Sequence, residues 1–474
     1  MAKKKFFISA AIDYTSERPH LGHVLEKVQA DVLARYKRQQ GFDVHFSLGL
    51  DQHGLKIQRY AQKANKKPPE FVKEIGRYFK NLWQILNISN DDFIQTTEKR
   101  HLKVAQEIIK KIHQKGDIYK GEYKGLYCLD CESYYLPKDL VNSQCPIHRK
   151  SLEMIKEEGF FFKMSKYQRQ LLAHIQKNKD FIIPESRRNE ILNRLKEPLE
   201  DLSISRKKVA WGIPFPLDKK FTIFVWLEAL CNYLTTIDYP AEKFKRFWPA
   251  DVHVIGKDIV WHHVVIWGSL LLSLKLALPK KIFIHGFITV DGQKMSKSLG
   301  NVIDPFGLVK KYGTDPVRYF LLREIPSTED GDFTYQRFEE RYQADLANGL
   351  GNLVARILTL VEKYGQPPKK SAQGIELKKF KQKYKKALEE FKFHEALEAV
   401  WQLISFCDEK IEQTKPWTLI EKEPAEFEKV LAELLGALKE IALLLEPFLP
   451  ETSEKILKQI KAGKKGKILF PRLK

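Results

Sequence analysis

The stretch FFISAAIDYTSERPHLGHVLEKVQADVLARY, residues 6–36, decides the fold. Its first seven residues, FFISAAI, are apolar or small, as a buried parallel strand requires. From 24 to 40 the apolar residues recur at helical spacing. Between the two lies PHLGH (19–23). A strand that feeds a helix opens a doubly wound α/β fold, whose ligands bind beyond the C-terminal ends of the strands. A helix N-terminus there carries unpaired backbone N–H groups and partial positive charge, so it attracts phosphate. Gly22 leaves room for a flat ring or a phosphate where a Cβ would clash. His20 and His23 then supply donors to oxygens whose charge grows in a transition state. Alone, the pentapeptide fits a plain strand–helix turn with surface histidines equally well.

The alternation continues outward. FDVHFSLGL (42–50) reads as a second strand ending in DQHG, and helices follow through FVKEIGRYFKNLWQIL and HLKVAQEIIKKIHQKG. Near 117 the texture changes to short strands, aromatics and cysteines, as in an inserted module. Alternation returns near 221 with FTIFVWLEAL, DVHVIG and KIFIHGFITV. After about 340 nearly everything is helix-periodic. Leu346, Leu350, Leu353, Ile357 and Leu360 mark one face, Leu397, Trp401, Ile404 and Phe406 fall in another helix, and the breaker GQPPKKSAQG (365–374) separates two of these helices. The final third is predicted to be a helical bundle.

A chain of 474 residues with 43% hydrophobic content supports two to four domains with real cores. The formal charge of +21 favours a polyanionic partner, nucleic acid first, although lysine-rich composition also accompanies heat adaptation. The start MAKKKFFISAAID has the basic and apolar parts of a signal peptide, but the run breaks at Asp13 without a cleavage-like segment. The apolar segment 259–278 carries His262, His263 and Lys275, which fits a buried helix rather than a membrane span. Five cysteines without an export signal point to a reducing, cytoplasmic setting, where spaced cysteines bind metal more often than they pair.

Five further segments carry chemistry. DGQKMSKSLGN (291–301) follows a strand and places Lys294 and Lys297 in a loop suited to neutralising a triphosphate and its leaving pyrophosphate. CLDC (128–131) and CPIH (145–148) offer Cys128, Cys131, Cys145 and His148 as a closed tetrahedral Zn2+ site, structural because no position is left for water. Cys231 and Cys407 stand apart in helical stretches and read as packed apolar residues. Trp226, Ala229 and Tyr233 fall at i, i+3 and i+7 on one helix face, a spacing shared by ordinary core and by a pocket wall. KPW (415–417) sets an indole beside basic residues, either as bundle core or as a stacking platform for an RNA loop.

PHLGH resembles the His-Ile-Gly-His signature of class I aminoacyl-tRNA synthetases, and KMSKS (294–298) matches their second signature letter for letter. The resemblance narrows to the methionyl-tRNA synthetases through AAIDYTSERPHLGH, DQHG, PESRRNEIL, DLSISR, WGIPFP, VWLEALCNY, HVIGKDIVWHH, HGFITVDGQKMSKSLGN and TKPW, in this order across the chain. It implies a Rossmann-like catalytic domain at 1–116 and 221–325 with a parallel sheet. An inserted connective domain with a zinc knuckle would occupy 117–220, a connecting region 326–345, and an all-α anticodon-binding domain 346–474. It implies adenylation of methionine by ATP with Mg2+, then transfer to the terminal adenosine of tRNA(Met), initiator tRNA included. His20, His23, Lys294 and Lys297 are the catalytic residues by this resemblance, and Gly22, Gly256, Asp258 and Met295 join His20, His23 and Lys297 at ATP. Ile12, Tyr14, Asp51, Trp226, Ala229, Tyr233, Ile259 and His263 would line the methionine pocket, with Asp51 pairing the α-ammonium. Asn352, Arg356 and Trp417 would meet the anticodon, Trp417 by stacking.

Three features depart from the family pattern. Glu228 replaces a usual Asp, Asp408 and Lys410 replace an Asn-x-Tyr pair, and Ser9-Ala10-Ala11 stands where Thr-Thr-Pro is frequent. A different class I synthetase would share both signatures and differ in the pocket. A non-catalytic tRNA-binding paralogue would have let the signatures decay, and a nucleotidyltransferase would need neither bundle nor charge. The expected protein is a cytoplasmic monomer with no membrane contact.

Overall fold

The computed structural model of the protein describes residues 3–128, 133–135, 140–146, 149–295, 300–366 and 377–473. The chain forms two compact units. One comprises residues 1–19, 37–81 and 89–285, the other 20–36, 82–88 and 286–474.

The first unit is built on a seven-stranded sheet whose strands are all parallel. In chain order these are β1 (Lys5–Ala10), β2 (Asp13–Tyr14), β3 (Asp43–Asp51), β4 (Asp92–Gln95), β5 (Ile182–Ile183), β6 (Val252–Gly256) and β7 (Ile282–His285). Hydrogen-bonded neighbours run β4–β3–β1–β6–β7–β5, and β2 lies beside the last residues of β3. Strand β1 is central, with Ile8 opposite Phe46 on one side and Val252 on the other. The chain therefore adds strands to one flank of β1 and then to the other. The switch between β1 and β6 is where an open α/β sheet opens a ligand crevice. Phe7, Ile8, Phe46, Leu48, Val254 and Ile255 are fully buried, which explains the unbroken apolar runs in the sequence.

Helix α1 (Leu21–Gln39) starts inside PHLGH, three residues before the periodicity predicts. It is followed by α2 (Leu55–Lys63), α3 (Pro68–Ile85) and α4 (Lys99–Gln114). The expected insert at 117–220 contains a four-stranded antiparallel sheet and two helices, Gln168–Lys177 and Glu185–Arg194, while Ile182–Ile183 within it is β5 of the parallel sheet. The two long strands of the antiparallel sheet, Ile118–Cys128 and Glu153–Phe162, exceed the short strands expected there. The stripe Trp226–Tyr233 is not one helix: α5 (Val225–Leu230) and α6 (Asn232–Thr235) meet at Cys231. Within 259–278 a π turn, His262–Ile266, runs into α7 (Trp267–Ser273), and both are buried as expected. Among the described residues no helix is long and apolar enough to cross a membrane.

In the second unit KIFIHGFITV yields a separate strand, Ile288–Val290, which pairs with Gln293–Lys294 and with Gly331–Phe333. The link Asp291-Gly292 has φ of 50° and 72°, the left-handed pair that a tight two-residue hairpin requires. Helices α8 (Thr314–Arg323), α9 (Asn352–Tyr364), α10 (Leu377–Glu389), α11 (Phe393–Thr414), α12 (Pro416–Lys422), α13 (Pro424–Leu445) and α14 (Pro450–Ala462) follow. Leu346, Leu350, Leu353 and Ile357 are buried as the spacing predicts, whereas Phe406 is 38% exposed on α11. Arg318 of α8 is wholly buried. Its guanidinium pairs with Asp31 of α1 at 2.7 Å and donates to the carbonyls of Leu86, Pro447 and Phe448. A buried charge persists only with its donors satisfied in this way.

Candidate active site

PHLGH is a helix cap made of two imidazoles. His20 is the N-cap of α1, and its Nδ1 accepts the Gly22 N–H at 3.1 Å. In return His23 Nδ1 accepts the His20 N–H at 3.2 Å, and the His23 N–H reaches the His20 carbonyl at 3.0 Å. This is the reciprocal logic of a capping box, with histidine at both positions. The Leu21 N–H is taken by the Ile303 carbonyl at 3.3 Å. The backbone donors of residues 20–23 are thus already paired, which corrects the expectation that bare N–H groups would hold phosphate. With both Nδ1 atoms accepting, the neutral rings carry their protons on Nε2. Burial, then the neighbouring His20 and Lys27, hold the His23 pKa well below the usual imidazole value, so it is a neutral donor.

Gly22 is explained by the same geometry. A Cβ there would lie 2.9 Å from His20 Cε1 and 3.3 Å from the Met295 methyl. The ring that approaches is His20 itself. Met295 is the second residue of the second signature and Ile303 lies five residues beyond its end, so the two signature segments, far apart in sequence, meet at the start of α1. Lys294 lies on the hairpin with its backbone paired to Thr289. Lys297 lies outside the described residues. Lys27, one turn below His23, is buried against Glu26 at 2.8 Å, and nothing in the sequence marked it.

In the first unit, Tyr14 and Asp51 are register partners at the ends of β2 and β3, and Ile12 sits in the two-residue link between β1 and β2. The Tyr14 hydroxyl donates to the His53 carbonyl at 3.0 Å, and Asp51 is buried. Ala229 and Tyr233 are buried, and the half-buried Trp226 indole stacks on His262 with centroids 4.1 Å apart. Burial, then His263 and Arg194, lower the His262 pKa to about 3. His263 Nδ1–H donates to the Ile259 carbonyl at 3.0 Å, which leaves Nε2 to accept the Tyr233 hydroxyl at 2.6 Å. The Tyr233 ring lies 4.2 Å from that of His253, whose pKa burial lowers strongly. These rings form a neutral aromatic wall. Gly256 ends β6 at the switch point, where a Cβ would meet Asp258 Oδ1 at 2.8 Å.

Behind this wall is a group that sequence reading noted only as a departure. Glu228 is fully buried and accepts from His53 Nδ1 and His101 Nε2, each at 2.8 Å. It ties the end of β3, α4 and α5 together. Burial pushes its carboxyl up, but the two imidazoles outweigh that and set it below the usual carboxylate range. Nothing in local periodicity could have found His53 and His101, because their partner is remote in the chain.

Cys128 and Cys145 are buried thiols outside any disulfide, while Cys131 and His148 lie outside the described residues. The Cys145 carbonyl accepts from the Arg149 N–H, and the Cys145 N–H donates to the Lys150 carbonyl, both at 2.9 Å. Among the described residues no cluster of three metal-type donors is present. Cys231 and Cys407 are packed in the interior as expected, and burial pushes the Cys407 thiol up to about 12. In the second unit Asn352 and Arg356 stand one turn apart on α9, and Arg356 is held by Asp408, at 3.1 Å, and Glu412 of α11. Trp417 of α12 is 49% exposed and is no core residue.

Comparison with known proteins gives the family. The family model for class I tRNA synthetases of the methionine type matches residues 6–147 and 130–358, and that for the anticodon-binding domain of tRNA ligases matches 375–472. The methionine–tRNA ligase of Caldanaerobacter subterraneus is 43% identical across 99% of this chain and 79% of its own length. The chain belongs to the class I methionyl-tRNA synthetases. Within that family, the Thermotoga maritima methionine–tRNA ligase is 42% identical over 96% of this chain and 75% of its own length. Among solved methionyl-tRNA synthetases, that of Mycobacterium tuberculosis in complex with methionyl-adenylate superposes with a TM-score of 0.92. It is 35% identical, covering 96% of this chain and 93% of that one. Of the fold expected from the sequence, the parallel-sheet catalytic domain and the helical anticodon-binding domain stand.

Proposed function

We propose that the chain is a methionine–tRNA ligase that works by positioning and charge stabilisation. The observation that carries this reading is the meeting of the two signature segments at α1, through Gly22 with Met295 and Leu21 with Ile303. The methionine carboxylate attacks the α-phosphorus of ATP, and pyrophosphate leaves. The terminal ribose hydroxyl of tRNA then attacks the methionyl carbonyl and releases AMP. His20 and His23 donate from Nε2 to phosphate oxygens as charge develops, and Lys294 and Lys297 neutralise the triphosphate. Gly22 and Met295 shape the approach, and Gly256 and Asp258 take the adenosine. Mg2+ accompanies ATP and screens its charge.

Trp226, Ala229, Tyr233, Ile12, Ile259 and His263 enclose the thioether side chain, Asp51 receives the α-ammonium and Tyr14 closes the wall. A neutral wall suits an uncharged side chain, since a charged competitor would lose its hydration without a partner. Asn352, Arg356 and Trp417 receive the anticodon of tRNA(Met), initiator tRNA included. The reading extends to a cytoplasmic monomer.

The buried thiols Cys128 and Cys145, with Cys131 and His148, suit a structural Zn2+ that would brace the inserted sheet. Metal analysis of purified Cys145→Ala protein should find less than about a tenth of the wild-type zinc, and a full equivalent would remove that ligand set. The function itself is tested by amino-acid-dependent ATP–pyrophosphate exchange over all twenty amino acids without tRNA. Methionine alone should support exchange. Exchange with another amino acid would overturn the specificity, and none at all would overturn the activity.

A further inference from the structure

Three strands of the first unit carry a polar row through an otherwise apolar sheet. Ser47 of β3, Ser9 of β1 and His253 of β6 are register partners, so their side chains lie side by side on one face. All three are buried, which is unfavourable for polar groups unless they are hydrogen-bonded. The Ser9 hydroxyl and His253 Nδ1 meet at 2.6 Å, whereas Ser47 Oγ and His253 Nε2 have no hydrogen-bond partner among the described residues. The Ser9 bond alone therefore orients the imidazole. Without it the ring would swing, because a torsion between an sp3 and an sp2 carbon has broad wells.

The face of this imidazole meets Tyr233, with centroids 4.2 Å apart and planes at 31°. The Tyr233 hydroxyl in turn donates to His263 Nε2 at 2.6 Å, and His263 Nδ1–H donates to the Ile259 carbonyl at 3.0 Å. A train of contacts thus runs from Ser9 through His253, Tyr233 and His263 to Ile259, anchored by a hydrogen bond at each end. Tyr233 and His263 belong to the aromatic wall, and Ser9 and His253 stand behind it in the sheet. Their bond also joins β1 to β6 across the switch point, shortly before Ile12 and Gly256.

Resting on the proposed ligase activity, we infer that Ser9 and His253 are positioning residues for methionine: their hydrogen bond sets the plane of the Tyr233 ring, and with it the contact that tells a thioether from a methylene. Sulfur is favoured over CH2 beside an aromatic ring, and that preference depends on where the ring edge points. A ring released from its anchor still offers apolar surface to both side chains, so what it loses is discrimination.

In ATP–pyrophosphate exchange, Ser9→Ala should raise the KM for methionine about tenfold, as loss of one buried hydrogen bond implies, and leave the KM for ATP within about twofold of wild type. The ratio of kcat/KM for methionine to that for norleucine, which carries CH2 in place of sulfur, should fall about threefold. Ser9→Thr keeps the hydroxyl and should restore the ratio. His253→Phe keeps a ring but loses the nitrogen, and should lower the ratio as far as Ser9→Ala does. The double variant should lower it no further, as expected of two residues that act through one bond. An unchanged ratio in Ser9→Ala, or additive losses in the double variant, would overturn the inference. So would an equal rise in both KM values, because a general loosening of the sheet moves both. Failure of the ligase reading shows separately, as wild-type protein without methionine-dependent exchange.

Discussion

Trp226 and Trp417 each occupy the second position of a short helix, yet one is stacked and the other stands in solvent. Trp226 on α5 packs against His262, among rings whose protons are committed to carbonyls and to one another. Trp417 on α12 is 49% exposed and has no ring partner or hydrogen bond among the described residues. A small apolar substrate is selected by a wall that is already dry and neutral, because burial itself discriminates. An RNA base needs the opposite: an exposed flat surface near cations, since the base brings its own stacking face. Arg356, which the resemblance assigns to the same RNA, is restrained by Asp408 and Glu412.

The comparison can be broken at the wall first. Trp226→Ala should lower kcat/KM for methionine in the exchange assay by two to three orders of magnitude, about 3–4 kcal/mol. A loss below tenfold would show that the wall does not contact substrate. Behind the wall, Glu228→Gln should cost about 3 kcal/mol of stability near neutral pH, because the amide removes the charge and keeps an acceptor for only one of the two buried imidazoles, setting an NH2 donor against the other. Because the Glu228 pKa is lowered on folding, its contribution is present above the ordinary value of 4.5 and is lost as pH falls through the folded value. Urea midpoints of the two proteins should therefore converge in acid, and a gap that persists or widens would contradict the charged carboxylate. The smallest effect is at the bundle. Asp408→Asn frees part of the Arg356 guanidinium, and the KM for tRNA should fall about threefold at low salt, within the range of an exposed pair. A rise in KM would mean that Asp408 itself reads the RNA.

Much of this was legible in local pattern. The strand, PHLGH and helix follow from an apolar run, a glycine and a 3.6-residue period, and the Asp291-Gly292 hairpin follows from its dipeptide. The exposed indole at 417 fits a helix opening at Pro416, where the ring faces no neighbouring apolar stripe. What could not be read are pairings across the fold. No periodicity shows that Glu228 sits between His53 and His101, or that Arg356 is shared by Asp408 and Glu412. The break at Cys231 was hidden because Trp226, Ala229 and Tyr233 keep helical spacing across it. The cap was hidden too, because histidine is not among the usual capping residues and only atomic positions show Nδ1 turned inward.

The most direct measurement assays Trp226→Ala and Trp417→Ala side by side, for exchange and for tRNA charging. The account predicts that Trp226→Ala loses both activities together, whereas Trp417→Ala retains exchange within about twofold and loses charging by about fiftyfold or more, as the removal of a stacked base contact implies. Loss of both activities in Trp417→Ala, or retention of charging, would contradict the separation of a buried substrate wall from an exposed RNA platform.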